Sequence, residues 1–181
     1  MAVGQSGSCA VSGPLGSRDF PDLKSDAMTQ YHFEDFTIGQ AFTFEVPPVT
    51  KEQIIEFAST WDPQPLHLGE AAAGRLYDGV IASGIHTLAA ALRPMIVNVI
   101  AKSANLGGPG MEQIRWPVPV RPGDRLTTSV TVASVHPSRT KPDRGLVTFD
   151  VAVENQTSTT VMTMQFCVML RKRPLAAVDN K

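Results

Sequence analysis

The chain lacks the residue patterns of metal, redox and disulfide-rich proteins. It has two cysteines, Cys9 and Cys167, and two such isolated residues form neither a CxxC motif nor a zinc site. The four histidines do not have the spacing of metal ligands, so we expect no metal. So few cysteines are typical of a reducing compartment, which predicts a cytoplasmic location.

The chain has no marked excess of positive or negative charge and no long uninterrupted apolar segment. The 16 basic and 17 acidic residues leave a formal net charge of −1, which gives no block of charge for binding nucleic acid or a membrane surface. The longest apolar candidate, residues 81–101, is interrupted by Arg93 and Pro94 and falls short of the roughly 20 uninterrupted residues of a spanning helix. With 43% hydrophobic residues, the composition instead predicts one globular domain with a buried core.

The two ends of the chain carry no predicted structure. Residues 1–27 are rich in Gly, Ser, Pro and Asp and lack the basic start and apolar stretch of a secretory signal. We interpret residues 1–27 as a flexible tail or a remnant of cloning, with Met28 as an alternative start. The predicted domain spans residues 28–174, and residues 175–181 form a C-terminal tail.

Two main helices are predicted in the first part of the domain. Thr50 with Gln53 three residues later is a capping-box pattern, which predicts a helix start. A longer helix is predicted to start at Ser83 and Gly84, with a kink or break at Pro94. Its predicted apolar stripe consists of Ile85, Leu88, Ala89, Leu92, Ile96, Val99 and Ile100.

The rest of the domain shows strand and turn patterns. Apolar and polar residues alternate over residues 42–46, and four further strands are predicted after a glycine-rich hinge near the pocket, residues 107–110. These strands cover residues 111–118, 125–135, 147–153 and 160–170, separated by turns or loops at 121–124, 136–145 and 155–158, and a short helical piece is predicted at 70–75. This order predicts an α+β fold with helices on one face of an antiparallel sheet.

Residues 62–67, Asp-Pro-Gln-Pro-Leu-His, place a carboxylate and an imidazole five residues apart. The two prolines predict a stiff, non-helical turn. Asp62 and His67 could act as proton acceptor and donor near neutral pH. An aspartate before proline is more often only a turn former, and a lone histidine is more often a packed or surface residue. The residues alone therefore leave this role open.

Four segments in order resemble the MaoC-like dehydratases, a hotdog-fold family that includes the R-specific enoyl-CoA hydratases. They are residues 33–40 (Phe-Glu-Asp-Phe-Thr-Ile-Gly-Gln), 62–67, 81–84 (Ile-Ala-Ser-Gly) and 115–124 (Arg-Trp-Pro-Val-Pro-Val-Arg-Pro-Gly-Asp). The resemblance implies a single hotdog domain, in which an antiparallel sheet wraps a long central helix. It also implies a homodimer or higher homo-oligomer with a substrate tunnel near the subunit interface.

The resemblance implies an acyl-CoA hydratase or dehydratase of fatty acid metabolism, which adds water reversibly to a 2-enoyl thioester. Asp62 and His67 match the catalytic pair of the family, and Gly84 matches the glycine whose N–H binds the thioester carbonyl. CoA would enter as part of the substrate, with no other cofactor. Glycine and a helix start suit this role, because no Cβ blocks the carbonyl and the helix dipole favours negative charge.

Three further residues are assigned to substrate binding: Gln64, Ser83 and His86. Gln64 stands where many family members have asparagine, and Ser83 stands where histidine is common. Leu92 occupies a position at which some hydratases have a serine that orients the pair. Two alternatives stay open, since Ser83 also fits a helix N-cap and His86 a packed or solvent-facing side chain.

The phosphates of CoA require basic residues near the tunnel mouth. Arg75, Arg115, Arg121 and Arg139 are candidates, although each also fits a solvated surface charge. Two other functions remain open. A hotdog thioesterase would want a carboxylate on the central helix, but residues 85–101 contain no Asp or Glu. A non-catalytic acyl-binding dimer is the second alternative.

Overall fold

The computed structural model describes residues 30–69 and 77–174. The predicted tails at residues 1–27 and 175–181 and the short helix at 70–75 lie outside these described residues. In chain order the elements are a 3₁₀ turn (Phe33–Asp35), β1 (Ala41–Val46), α1 (Lys51–Trp61), α2 (Pro65–Leu68), α3 (Gly84–Asn98), a second 3₁₀ turn (Ile100–Lys102), β2 (Gly110–Arg115), β3 (Leu126–Pro137), β4 (Arg144–Glu154) and β5 (Thr160–Arg171).

The strands form a five-stranded sheet in the order β1-β3-β4-β5-β2, and every neighbouring pair is antiparallel. Alternation along β4 defines its two faces, as the sequence predicts. The outward side chains of Asp150 and Glu154 are exposed, whereas the inward ones are buried against α3. These inward residues are Val147, Phe149, Val151 and Val153. The predicted α+β fold is confirmed.

The capping box predicted at the start of α1 is confirmed. The Oγ1 of Thr50 accepts a hydrogen bond from the Gln53 N–H at 3.3 Å, and the Gln53 side chain accepts one from the Thr50 N–H at 2.9 Å. These bonds satisfy two of the amides that a helix start leaves without intrahelical partners. They fix the start of the helix that ends at the candidate site.

The buried face of α3 differs from the predicted stripe. Ile85 and Ile96 are 53% and 41% exposed, and Ala89 is also exposed. Apolar residues occupy most positions of this helix, so the helical period alone does not select a face. Contact with the sheet selects it, since Thr128 of β3 donates a hydrogen bond to the Ala91 carbonyl at 3.0 Å. The residues of α3 that are buried are Thr87, Ala91, Leu92 and Met95.

The helix does not break at Pro94, because α3 continues through it to Asn98. By length and mean hydropathy, which reaches 1.4, the stretch Gly84–Lys102 could cross a membrane. In this fold the same stretch is the core helix of the domain. Its Ala91 and Met95 are fully buried.

The segment at residues 107–110 is not the hinge near the pocket that its glycines predict. The Leu106 N–H donates to the Met169 carbonyl at 2.8 Å, and the Met169 N–H donates to the Gly107 carbonyl at 2.8 Å. Gly108 packs so closely on the Cys167 carbonyl that any Cβ at this position would collide with it. The glycines therefore allow close backbone pairing along β5.

Candidate active site

The proline-rich segment contains one helical turn, which corrects the prediction of a non-helical turn. Pro65 is the first residue of α2, a position where the missing N–H costs no intrahelical hydrogen bond. The His67 N–H bonds to the Gln64 carbonyl at 2.9 Å, and the Gly69 N–H bonds to the Pro65 carbonyl at 3.2 Å. This short helix holds the His67 side chain in a buried position, with the residue 6% exposed.

Asp62 ends α1, and its carboxylate is held by two side chains. The Gln64 Nε2 donates to Oδ1 at 2.7 Å, and the Ser83 hydroxyl donates to Oδ2 at 2.6 Å. The hydrogen bond from Ser83 is the main cause that lowers the pKa of Asp62, and the hydrogen bond from Gln64 is the second. Burial raises this pKa by a smaller amount, and the nearby His67 has the smallest effect, which lowers it. Asp62 is therefore an ionised carboxylate at neutral pH.

His67 lies beside this carboxylate, with its Nε2 3.5 Å from the Asp62 Oδ2. The Nδ1 of the same ring is 2.8 Å from the Ile81 carbonyl oxygen. Because a carbonyl can only accept, Nδ1 must carry a proton, which leaves Nε2 to gain or release the second one. The structure thus brings together the two predicted residues and directs the titrating nitrogen of His67 toward Asp62.

Ser83 and Gly84 form the amino end of α3, directly beside Asp62. The Ser83 Oγ accepts a hydrogen bond from the Ile85 N–H at 3.2 Å, so the N-cap interpretation of Ser83 is confirmed. In the described part of the chain, no hydrogen-bond acceptor faces the Gly84 N–H. An unpaired amide at a helix start is a donor to a carbonyl on which negative charge develops.

A pocket of about 320 Å³ opens next to these residues, and His67 and Gly84 form part of its wall. Most of the remaining side chains in the wall are apolar, including Leu66, Ile81 and Val118. A cavity of this size with apolar side chains and a few polar groups is a candidate ligand site.

A second concavity, of about 300 Å³, lies on the outward face of the sheet. Asp150 and Gln165 in its wall hydrogen-bond to each other at 2.9 Å. It includes none of the predicted site residues, and its wall is the solvent side of the twisted strands. We place no function there.

The other predicted substrate-binding residues do not line the pocket. Gln64 instead donates to Asp62. His86 stacks on Phe57, with ring centroids 4.5 Å apart and planes 10° apart, and burial lowers its pKa. This geometry agrees with the packed alternative for His86. Among residues 30–69 and 77–174, no group of three or more His, Cys, Asp or Glu side chains is placed to hold a metal ion.

The predicted CoA-phosphate residues are dispersed. Arg121 donates to the Asp78 carbonyl at 3.1 Å, next to the pocket residue Val120. Arg115 bonds to the Ile114 carbonyl at 2.9 Å, and Arg139 is exposed in the loop between β3 and β4. Arg75 lies outside the described residues.

Sequence reasoning missed two pocket residues with large aromatic side chains, Tyr77 and Trp116. Trp116 lies next to Gly84. It lines the pocket together with His67 and Gly84, although it belongs to a segment that the sequence comparison already singled out. The direction of the Trp116 side chain depends on the register shift in β2, and no residue pattern predicts that shift. In the sequence, a tryptophan between an arginine and a proline fits a surface loop equally well.

Comparison with known proteins agrees with this fold and places the chain in a family. Residues 34–155 match the MaoC like domain. The uncharacterized protein YdeM of Bacillus subtilis is 33% identical over 141 residues, which are 77% of this chain and 98% of YdeM. The long central helix and the antiparallel sheet define a hotdog-fold protein. The chain belongs to the MaoC-like domain family.

Solved structures support the same fold. A MaoC-like dehydratase from Rhodospirillum rubrum is 35% identical and superposes with a TM-score of 0.71, covering 80% of this chain and 99% of its own. The R-hydratase PhaJ1 of Pseudomonas aeruginosa superposes with a TM-score of 0.64 at 22% identity, covering 83% of this chain and 94% of its own. At that lower identity, the likeness concerns the fold alone.

Proposed function

We propose that this protein is an acyl-CoA hydratase or dehydratase, which interconverts a 2-enoyl thioester and a 3-hydroxyacyl thioester. The observation that carries the proposal is the position of His67 Nε2, 3.5 Å from the Asp62 carboxylate, beside a pocket that His67 and Gly84 line. Membership of the MaoC-like family and the likeness to a MaoC-like dehydratase support it. The substrate brings CoA, and the protein needs no further cofactor.

In the hydration direction, water lies between Asp62 and the Nε2 of His67. The ionised Asp62 accepts one proton of the water as its oxygen forms a bond to C3. The π electrons of the C2–C3 bond move into the thioester, and the resulting enolate oxygen is stabilised by the Gly84 N–H. The enolate re-forms the carbonyl as C2 takes the proton of a protonated His67.

The proton that Asp62 took from the water then passes to His67, which restores both residues. Their separation of 3.5 Å between Oδ2 and Nε2 allows this transfer directly or through one water molecule. Dehydration runs through the same steps in reverse, so the groups required are the same. The roles follow from the anchored carboxylate and from the Nδ1 proton that Ile81 holds in place.

The proposal makes a first prediction for Ser83→Ala. Removing the hydroxyl removes the main cause of the lowered pKa of Asp62, so that pKa rises. Asp62 is then protonated at higher pH, and the acid limb of the kcat/KM profile should move to higher pH than in the wild type. The measurement is kcat/KM for a 2-enoyl-CoA between acid and neutral pH.

Ser129→Ala on the exposed side of β3 is the matched control and should leave the profile in place. Loss of the N-cap also lowers the free energy of unfolding by about 1 kcal/mol, but lower stability reduces the amount of folded enzyme without moving the limb. An unchanged acid limb in Ser83→Ala would separate Ser83 from the ionisation of Asp62.

The proposed reaction is tested with a panel of short and medium 2-enoyl-CoA thioesters. We expect loss of the conjugated enoyl absorbance without release of free thiol. Release of thiol instead would identify a thioesterase, although α3 carries no carboxylate to direct water at the carbonyl. Binding of the thioesters without either signal would leave a non-catalytic acyl-binding protein.

We further propose that the protein acts as a homodimer or higher homo-oligomer in the cytoplasm. The large apolar side chains of Ile85 and Ile96 on α3 are exposed in the single chain, and exposed apolar surface of this kind is commonly covered by a partner. Light scattering of the purified protein tests the oligomeric state, and a monomeric mass would contradict a homo-oligomer.

A further inference from the structure

A β-bulge in β2 reverses the direction of the side chains that follow it. Glu112 pairs with Gln165 and Arg115 pairs with Thr163, so β2 uses three steps where β5 uses two. In regular alternation Trp116 would share the outward face of Glu112. The extra residue instead turns Trp116 to the inner face, which is a common effect of bulges near functional sites.

The bulge depends on an uncommon backbone conformation. Gln113 has a φ of 54° although it is not a glycine. A non-glycine residue in this region costs about 1 to 3 kcal/mol and persists only because the surrounding structure imposes it. Strain of this kind is frequent where a side chain must be directed to a site.

The redirected indole lies against the start of α3. A Cβ placed on Gly84 would lie 2.9 Å from the Trp116 Cε2 and 3.1 Å from Cδ2. The ring therefore occupies the space beside the Gly84 Cα that a side chain would otherwise fill. The chain leaves 45% of Trp116 exposed, and the residue lines the pocket together with His67.

We propose that Trp116 is a specificity-determining residue, which packs against the acyl carbon next to the thioester carbonyl and selects substrates without a branch at that carbon. The inference rests on the proposed function, because it places the carbonyl at the Gly84 N–H. With the oxygen at that amide, C2 lies within two bonds of it, beside the indole. A methyl group on C2 then competes with the ring for the same space.

Binding of saturated thioesters tests the inference without any reaction. Trp61 and Trp116 are the two tryptophans of the chain, so Trp61→Phe leaves Trp116 as the single indole. We expect butyryl-CoA to change the emission of Trp61→Phe and to bind more tightly than isobutyryl-CoA, which carries a methyl group at C2. Free CoA should change the emission less than either thioester does. The matched control is Trp116→Phe, in which Trp61 is the remaining indole, and its emission should change less on addition of butyryl-CoA.

The variant Trp116→Ala should bind the two thioesters more equally. The ratio of the dissociation constants of isobutyryl-CoA and butyryl-CoA, measured by calorimetry, should fall by about tenfold. This is the lower end of the discrimination that one methyl group causes in an apolar pocket. Trp116→Phe keeps an aromatic ring and should fall between the wild type and Trp116→Ala. Circular dichroism of both variants verifies the fold, and the phenylalanine variant preserves the test if the alanine variant does not fold.

The outcomes separate this inference from the proposed reaction. If the preference narrows but no enoyl thioester is hydrated, the role of Trp116 stands and the proposed reaction fails. If hydration is observed and the preference is the same in Trp116→Ala and the wild type, the role of Trp116 is refuted. Absence of any thioester binding overturns both.

Discussion

Asp62→Asn should lower kcat/KM for hydration of a 2-enoyl-CoA by roughly 10²- to 10⁴-fold, the usual contribution of a positioned acid or base. The asparagine carbonyl can still accept the hydrogen bond that Ser83 donates to Oδ2 at 2.6 Å. The new amide nitrogen takes the place of Oδ1, to which Gln64 donates, and the exposed Gln64 amide can turn so that its oxygen accepts from it. Both hydrogen bonds of the site can thus be kept, while the group that accepts the proton of water is lost. Initial rates from the decrease in enoyl absorbance measure the effect.

The matched control is Asp150→Asn, a second aspartate-to-asparagine change on the exposed side of β4. Asp150 hydrogen-bonds to Gln165 and lies outside the pocket that His67 and Gly84 line. We expect wild-type kinetics for this variant. Equal activity of Asp62→Asn and the wild type would remove Asp62 from the reaction.

His67→Asn should cause a loss of similar size, again roughly 10²- to 10⁴-fold in kcat/KM. The side-chain amide of asparagine can replace the Nδ1 donor that faces the Ile81 carbonyl at 2.8 Å, but it has no counterpart of Nε2. The substitution thus removes the titrating nitrogen without breaking the buried hydrogen bond. The rates are measured as for Asp62→Asn, together with urea unfolding to verify stability.

The control for this change is His136→Asn, near the exposed end of β3, which should keep full activity. Normal activity of His67→Asn would contradict proton transfer by His67.

Local patterns in the sequence predicted the elements that depend on neighbouring residues. The Thr50 cap, the Ser83 cap and the alternation along β4 each involve residues a few positions apart. The local sequence is therefore enough to predict them. The pairing of Asp62 with His67 belongs to the same group, because both lie on one short segment. The prediction of a non-helical turn was wrong there, because Pro65 is the first residue of α2, a position at which proline favours a helix.

Features that depend on distant residues were not predictable in this way. Ser83 reaches Asp62 from 21 positions along the chain, and Ile81 reaches His67 from 14 positions. Ser83 caps α3, which packs on β1, β3 and α1, and Ile81 lies in the segment just before this helix. Similarly, the buried face of α3 is selected by β3, and the direction of Trp116 is selected by pairing with β5. Tertiary contacts of this kind override local periodicity.

The most direct test of the account is a crystal structure of Asp62→Asn with a bound 2-enoyl-CoA. We predict that the thioester oxygen lies within hydrogen-bonding distance of the Gly84 N–H, with C3 facing residue 62 and the Nε2 of His67, and with C2 beside Trp116. A thioester that binds elsewhere, or that binds in this pocket with its carbonyl directed away from α3, would contradict the account.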